Sequence, residues 1–163
     1  MKSQLSGIQG EIFFEFAIPR MGKRVDNIII SYDKVFVVEF KVGESEYKNH
    51  DKDQVIDYTL DLKNFHEGSH HSKLIPILVA TEAVSKTGND LVLCNKNNIG
   101  ETIKKLIDPT QPNINTKYWS ESIYKPTPTI IEAAQALFKG HNVKEISRSD
   151  SGAINLTKTE WLE

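Results

Sequence analysis

The stretch "KRVDNIIISYDKVFVVEFKVG", Lys23 to Gly43, decides how the rest of the chain is read. It holds two runs of strand-forming residues, 24–31 and 35–42, joined at "SYDK" with Asp33 and Lys34 as turn residues, and so predicts an antiparallel hairpin. In the second run Val35, Val37, Glu39 and Lys41 share one face, and Phe36, Val38, Phe40 and Val42 share the other. A strand that is apolar on both faces is a central one, covered on each side, where an unpaired charge is costly. Glu39 and Lys41 therefore need partners.

The preceding strand offers one. Asp26 is expected on the same face as Ile28 and Ile30, and the turn places it roughly across from the end of the next strand, where Glu39 and Lys41 lie. Two carboxylates and one ammonium then converge at one end of the sheet. Two such oxygen donors, completed by water and a backbone carbonyl, can hold Mg²⁺. A metal there lowers the pKa of a bound water and stabilises charge building on a phosphate, and a nearby lysine can orient the attacking water. A Glu39 to Lys41 ion pair, or a strand end emerging into solvent near Gly43, satisfies the same pattern, and the residues alone leave that choice open.

Upstream, "EIFFEFAI" (11–18) reads as a first strand ended by Pro19 and Gly22, which completes a three-strand meander. Downstream of Gly43 the period changes from two to 3.6. Val55, Tyr58, Leu62 and Phe65 form one stripe of a helix over about 51–66, opened by an Asp51 and Gln54 capping box and stopped near Gly68. A fourth strand is expected at 73–81, where Pro76 suggests an edge position or a strand start, and a short fifth at 90–95. "NIGE" (98–101) reads as a capping box opening a short helix, 108–125 as a turn-rich connector laid over the surface, and "PTPTIIEAAQALFKG" (126–140) as a helix capped by Thr129 and Glu132 and closed by Gly140. The tail has weak patterning. The order predicts an α/β fold with a central mixed sheet flanked by helices.

Composition sets the outer bounds. The chain has 163 residues, enough for one core of ordinary size, with 39% hydrophobic and 26% charged residues. It shows neither a membrane-spanning run nor a signal-peptide pattern, so a cytoplasmic protein is expected. The single cysteine, Cys94 in "DLVLCN", excludes an intramolecular disulfide or a cysteine-rich zinc site and reads as a small buried hydrophobe. A net charge of -2 carries no signature of nucleic-acid binding, so a polyanion would have to be held by a local patch or through metal ions. Lys23 and Arg24 could supply phosphate contacts or form an ordinary solvated turn. His66, His70 and His71 read as a polar loop tip rather than a metal site, and Glu11 and Glu15 as solvent-facing.

Asp26, followed by Glu39-Phe40-Lys41 on the next strand and a helix carrying Gln54 and Tyr58, resembles the PD-(D/E)xK nuclease superfamily, the restriction-endonuclease-like fold. The resemblance implies a core of three strands, a helix and a strand, with Asp26 and Glu39 as ligands of Mg²⁺ or Mn²⁺ and Lys41 as a catalytic residue. "Gln54-Val-Ile-Asp-Tyr58" resembles the Gln-x-x-x-Tyr element of the branch typified by the RecB nuclease domain, and implies supporting or substrate-binding roles for those two residues. More narrowly, "GEIFFEFAIPRMGKRVDNIII", "VFVVEFKVG", "DQVIDYTLDLKNFHEGSH" and "PTPTIIEAAQALF" resemble the nuclease-like region that precedes a Schlafen-type P-loop helicase domain in large bacterial proteins. That implies a nucleic-acid substrate, DNA before RNA, and a helicase or ATPase domain in cis. The expected division is a nuclease-like core over 1–107, then a connector and helix over 108–163 leading toward that second domain, whose Walker A motif this chain does not contain. Two departures accompany the resemblance: Val25 stands where the family name has proline, and the superfamily's first helix is reduced to "KSQLSGIQG" or missing.

Overall fold

The computed structural model describes residues 5–86 and 91–127, together with the helical residues Ile130, Ile131, Ala134, Gln135 and Phe138. The expected caps Thr129 and Glu132, the stop at Gly140, the weakly patterned tail over 141–163 and the start of the expected fifth strand at Asp90 lie outside the described residues.

Five strands form one sheet in the order β1-β2-β3-β4-β5: β1 Glu11–Ile18, β2 Lys23–Ser31, β3 Lys34–Lys41, β4 Lys73–Ala80 and β5 Val92–Cys94. The first three run as an antiparallel meander, while β3 to β4 and β4 to β5 pair in parallel, so the sheet is mixed as expected. The parallel step requires a crossover, which α1 (Asn49–Phe65) supplies. The β2–β3 turn is Tyr32-Asp33 rather than Asp33-Lys34, because Ser31 already pairs with Lys34 and Tyr32 takes the positive φ of 53° that a two-residue hairpin needs.

The two sheet faces carry separate apolar layers. Val35, Val37, Ile28 and Ile30 pack with Val55, Tyr58 and Leu62 of α1, and Phe36, Val38, Ile77 and Val79 pack with Ile99 and Ile103 of α2 (Ile99–Leu106). β3 is therefore covered on both sides, as its sequence requires. Its apolar run ends at Lys41, however, and Val42, expected to continue the strand, is exposed beyond it. Cys94 is fully buried in the α2 layer. None of the described helices is long and apolar enough to cross a membrane.

Several local expectations are revised. β4 is an interior strand, yet Pro76 is tolerated because β5 pairs only with Ile77 to Val79, leaving the strand locally unpaired on that side at Pro76. Of the three expected capping boxes, the two within the described residues do not form: the cap of α1 is Lys48 without a side-chain bond, and the Asn98 side chain accepts from the Asn95 N–H instead of capping α2. The connector is not confined to the surface either. It contains α3 (Thr116–Glu121), whose Trp119 is fully buried against Phe13 and Phe16 of β1.

The expected polar loop tip is also a core element in part. His66 and Ser69 are fully buried, with His66 Nδ1 2.8 Å from Ser69 Oγ, the same oxygen that accepts from Trp119 Nε1 at 3.0 Å. Burial, helped by His70, pushes the His66 pKa from its usual 6.5 to about 4. The unfolded chain therefore binds a proton that the folded chain refuses as pH falls from 6.5 toward 4. Stability on the order of 3 kcal/mol should be lost across that window, and none above it. Urea denaturation at pH 7 and pH 4.5 checks this, with His66→Gln expected to flatten the difference.

Candidate active site

The polar cluster grows out of a break in the β-ladder. The antiparallel pairing of β2 with β3 ends at Asn27 and Val38, so Asp26 stands one step beyond, opposite Glu39. There the Asp26 Oδ2 accepts the Phe40 N–H at 2.7 Å, and the Asp26 N–H lies 3.5 Å from Glu39 Oε2. A carboxylate has taken the place of a strand carbonyl, which keeps the Phe40 donor satisfied while the strands separate.

The same row is irregular on the other side. Pairing of β1 with β2 runs from Glu11 and Ile30 to Phe14 and Asn27, then resumes at Phe16 and Val25, and the skipped residue Glu15 has φ of 50°. Both strands change phase here. Val25 shares the α1 side of the sheet with Ile28, three residues on, as Phe13 does with Phe16, so the strict alternation expected from Asp26 to Ile30 does not hold.

On β3 alternation does hold, and it directs Glu39 and Lys41 toward α1 with Val35 and Val37. Lys41 Nζ donates to Glu39 Oε1 at 3.2 Å and to Gln54 Oε1 at 2.9 Å, and lies 3.5 Å from Asp51 Oδ1. The Gln54 amide nitrogen donates to Glu39 Oε1 at 3.0 Å and to the Tyr58 hydroxyl at 2.8 Å. Gln54 and Tyr58 reach the same point because they are one turn apart on α1, and Tyr58 packs its ring in the core while its hydroxyl fixes the amide. The charged strand residues are thus both paired and facing an opening in the sheet.

Electrostatics follow from this packing. Glu39 is 4% exposed, and burial together with the neighbouring Asp26 charge raises its pKa, against the lowering effect of Lys41. Burial opposes the Lys41 charge as well, but Glu39 and Asp51 outweigh it and raise the ammonium pKa above that of an ordinary lysine. Glu39 Oε1 is occupied by two donors, whereas Glu39 Oε2 has only the long Asp26 contact and Asp26 Oδ1 has no hydrogen bond to a described residue. Those two oxygens belong to carboxylates that repel each other, a repulsion that a hard divalent cation with its own waters would relieve, so the pair fits Mg²⁺ or Mn²⁺. Among the described residues no group of three or more His, Cys, Asp or Glu side chains is arranged to hold a metal, and the fit rests on these two.

The expected site residues divide into two groups. Asp26, Glu39, Lys41, Gln54 and Tyr58 are brought together, while Lys23 and Arg24 are exposed at the start of β2, paired in the ladder with Ile18 and Ala17 and outside the cluster. Glu11 and Glu15 are exposed on β1. Sequence reasoning missed Asp51, which was read as a helix cap and is instead buried beside Lys41. Its spacing from Gln54 and Tyr58, three and seven residues, is the signal that places all three on one helical face. No protein-family model, curated protein or solved structure matches the chain.

Proposed function

We propose that the chain is a metal-dependent nuclease domain of restriction-endonuclease-like fold that hydrolyses phosphodiester bonds in nucleic acid, DNA before RNA. The observation that carries the reading is the meeting of Asp26, Glu39, Lys41, Gln54 and Tyr58 from two strands and one helix where β2 leaves β3. The resemblance described above assigns the same five residues. Asp26 and Glu39 would hold Mg²⁺ or Mn²⁺, which supplies an acidified water and offsets phosphate charge when bound. Lys41 orients the attacking water by donating a hydrogen bond. Gln54, braced by Tyr58, holds the Glu39 Oε1 edge and leaves Oε2 toward Asp26. Lys23 and Arg24 lie on an exposed strand start, suited to contacts with the phosphate backbone. A helicase or ATPase domain in cis would deliver the strand to be cut.

The test is incubation of single- and double-stranded DNA with the protein and Mg²⁺ or Mn²⁺. Cleavage is expected with either metal, lost on adding EDTA, and reduced by about 10³-fold in Lys41→Ala, in line with removal of a charged transition-state donor. Unchanged cleavage in that variant overturns the assignment. A second reading, a nuclease fold that binds or docks without cutting, is favoured by the closed network in which Lys41 already faces three acceptors. It predicts DNA binding that survives EDTA, with no cleavage.

A further inference from the structure

Asp51 has no part in the reading just given, yet it is 4% exposed, in the first turn of α1, with its Oδ1 3.5 Å from Lys41 Nζ. A buried carboxylate must be compensated, and its partners here are Lys41 and His50 Nε2, the latter at 3.1 Å from the same oxygen.

Lys41 has three N–H donors and three acceptors around it: Gln54 Oε1 at 2.9 Å, Glu39 Oε1 at 3.2 Å and Asp51 Oδ1 at 3.5 Å. The first two belong to the braced part of the network, since Glu39 and Gln54 are bonded to each other and Gln54 to Tyr58. Asp51 makes the longest contact, and its other partner on the same oxygen, His50, is an exposed side chain outside that braced network. It is the acceptor most readily exchanged. An incoming phosphate brings anionic oxygens of the same charge and hydrogen-bonding type as a carboxylate.

We propose that Asp51 is a positioning residue: it holds the Lys41 ammonium aimed along one direction in the free protein and, when nucleic acid binds, shares that ammonium with a phosphate oxygen or its attacking water while still limiting how far it can turn. The role rests on the nuclease reading of the same cluster. Its effect is on the orientation of Lys41 and therefore on turnover. Substrate affinity is expected to hold or improve when the Asp51 charge is removed, because a carboxylate near the phosphate repels it.

Two measurements separate this proposal from the reading it rests on. The first needs no activity: nitrogen-15 NMR of the lysine ammonium groups follows hydrogen exchange at Lys41 in wild type, Asp51→Ala and Asp51→Asn. Exchange should accelerate in Asp51→Ala, with Asp51→Asn, which keeps the oxygen acceptor, intermediate. The second is cleavage kinetics with Mg²⁺. The kcat of Asp51→Ala should fall by about tenfold to a hundredfold with KM unchanged or lower, and Asp51→Asn should recover most of the loss. A structural role instead lowers the thermal midpoint of both variants and leaves Lys41 exchange or the kcat of the folded fraction unaltered, which overturns the proposal. If wild type cuts nothing, the nuclease reading fails and the catalytic part of this role with it, while unchanged Lys41 exchange in Asp51→Ala overturns the contact itself.

Discussion

Glu39→Gln is expected to reduce metal-dependent cleavage by about 10³-fold or more while leaving the protein at least as stable as wild type. The two effects have one cause. Glu39 sits buried with the Asp26 charge beside it, so the native state bears the cost of an ionised carboxylate that glutamine, of nearly equal volume, removes. Glutamine can still accept from Lys41 and from the Gln54 amide, which keeps the network closed. What it cannot do is oppose the charge of a divalent cation across from Asp26. Cleavage rate and urea midpoint measured on the same preparations test the pair of outcomes. A variant both inactive and unfolded sinks the separation, and a variant active at the wild-type rate sinks the role of Glu39. Sites that carry such trade-offs are generally ones kept for chemistry.

Trp119→Ala is expected to destabilise the fold by about 3–5 kcal/mol, the range for emptying the space of a large buried aromatic. Trp119 is fully buried among Phe13, Phe16 and His66, and its indole N–H is bonded to Ser69, so the substitution leaves a cavity and strips Ser69 of a donor. Its neighbour Tyr118 is 58% exposed, and Tyr118→Ala should change the stability by less than about 0.5 kcal/mol. Equal, small effects in the two variants would mean that α3 is not part of the core. A folded Trp119→Ala should retain the geometry around Lys41, because α3 packs at the other end of α1 near His66.

These outcomes bear on what could be read from residues alone. The strands and the main helix were legible because apolar periodicity is set by burial, and in β1 to β3 burial agrees with local propensity. The site was legible for a related reason: Glu39 and Lys41 violate the pattern of a covered strand, and a violation of that kind demands partners. Asp51 escaped because an acidic residue near a helix start has a local explanation, and periodicity cannot tell a cap from a side chain reaching across to β3. Trp119 and His66 escaped for the converse reason. Each lies in a polar, turn-rich stretch with no period to mark it, and only long-range contact between α3, the end of α1 and β1 buries them. The phase change at Glu15 and Asp26 was equally hidden, since a single left-handed residue leaves no mark in hydropathy.

That left-handed residue has a consequence for solubility. Among the described residues β1 is an edge strand, paired on one side only and with Phe14 exposed, which makes it a template on which a strand of another copy could add. Glu11 and Glu15 place negative charge along that edge, and the kink at Glu15 breaks the straight row of donors and acceptors that intermolecular pairing would need. The irregularity beside Asp26 thus guards the sheet against edge-to-edge aggregation.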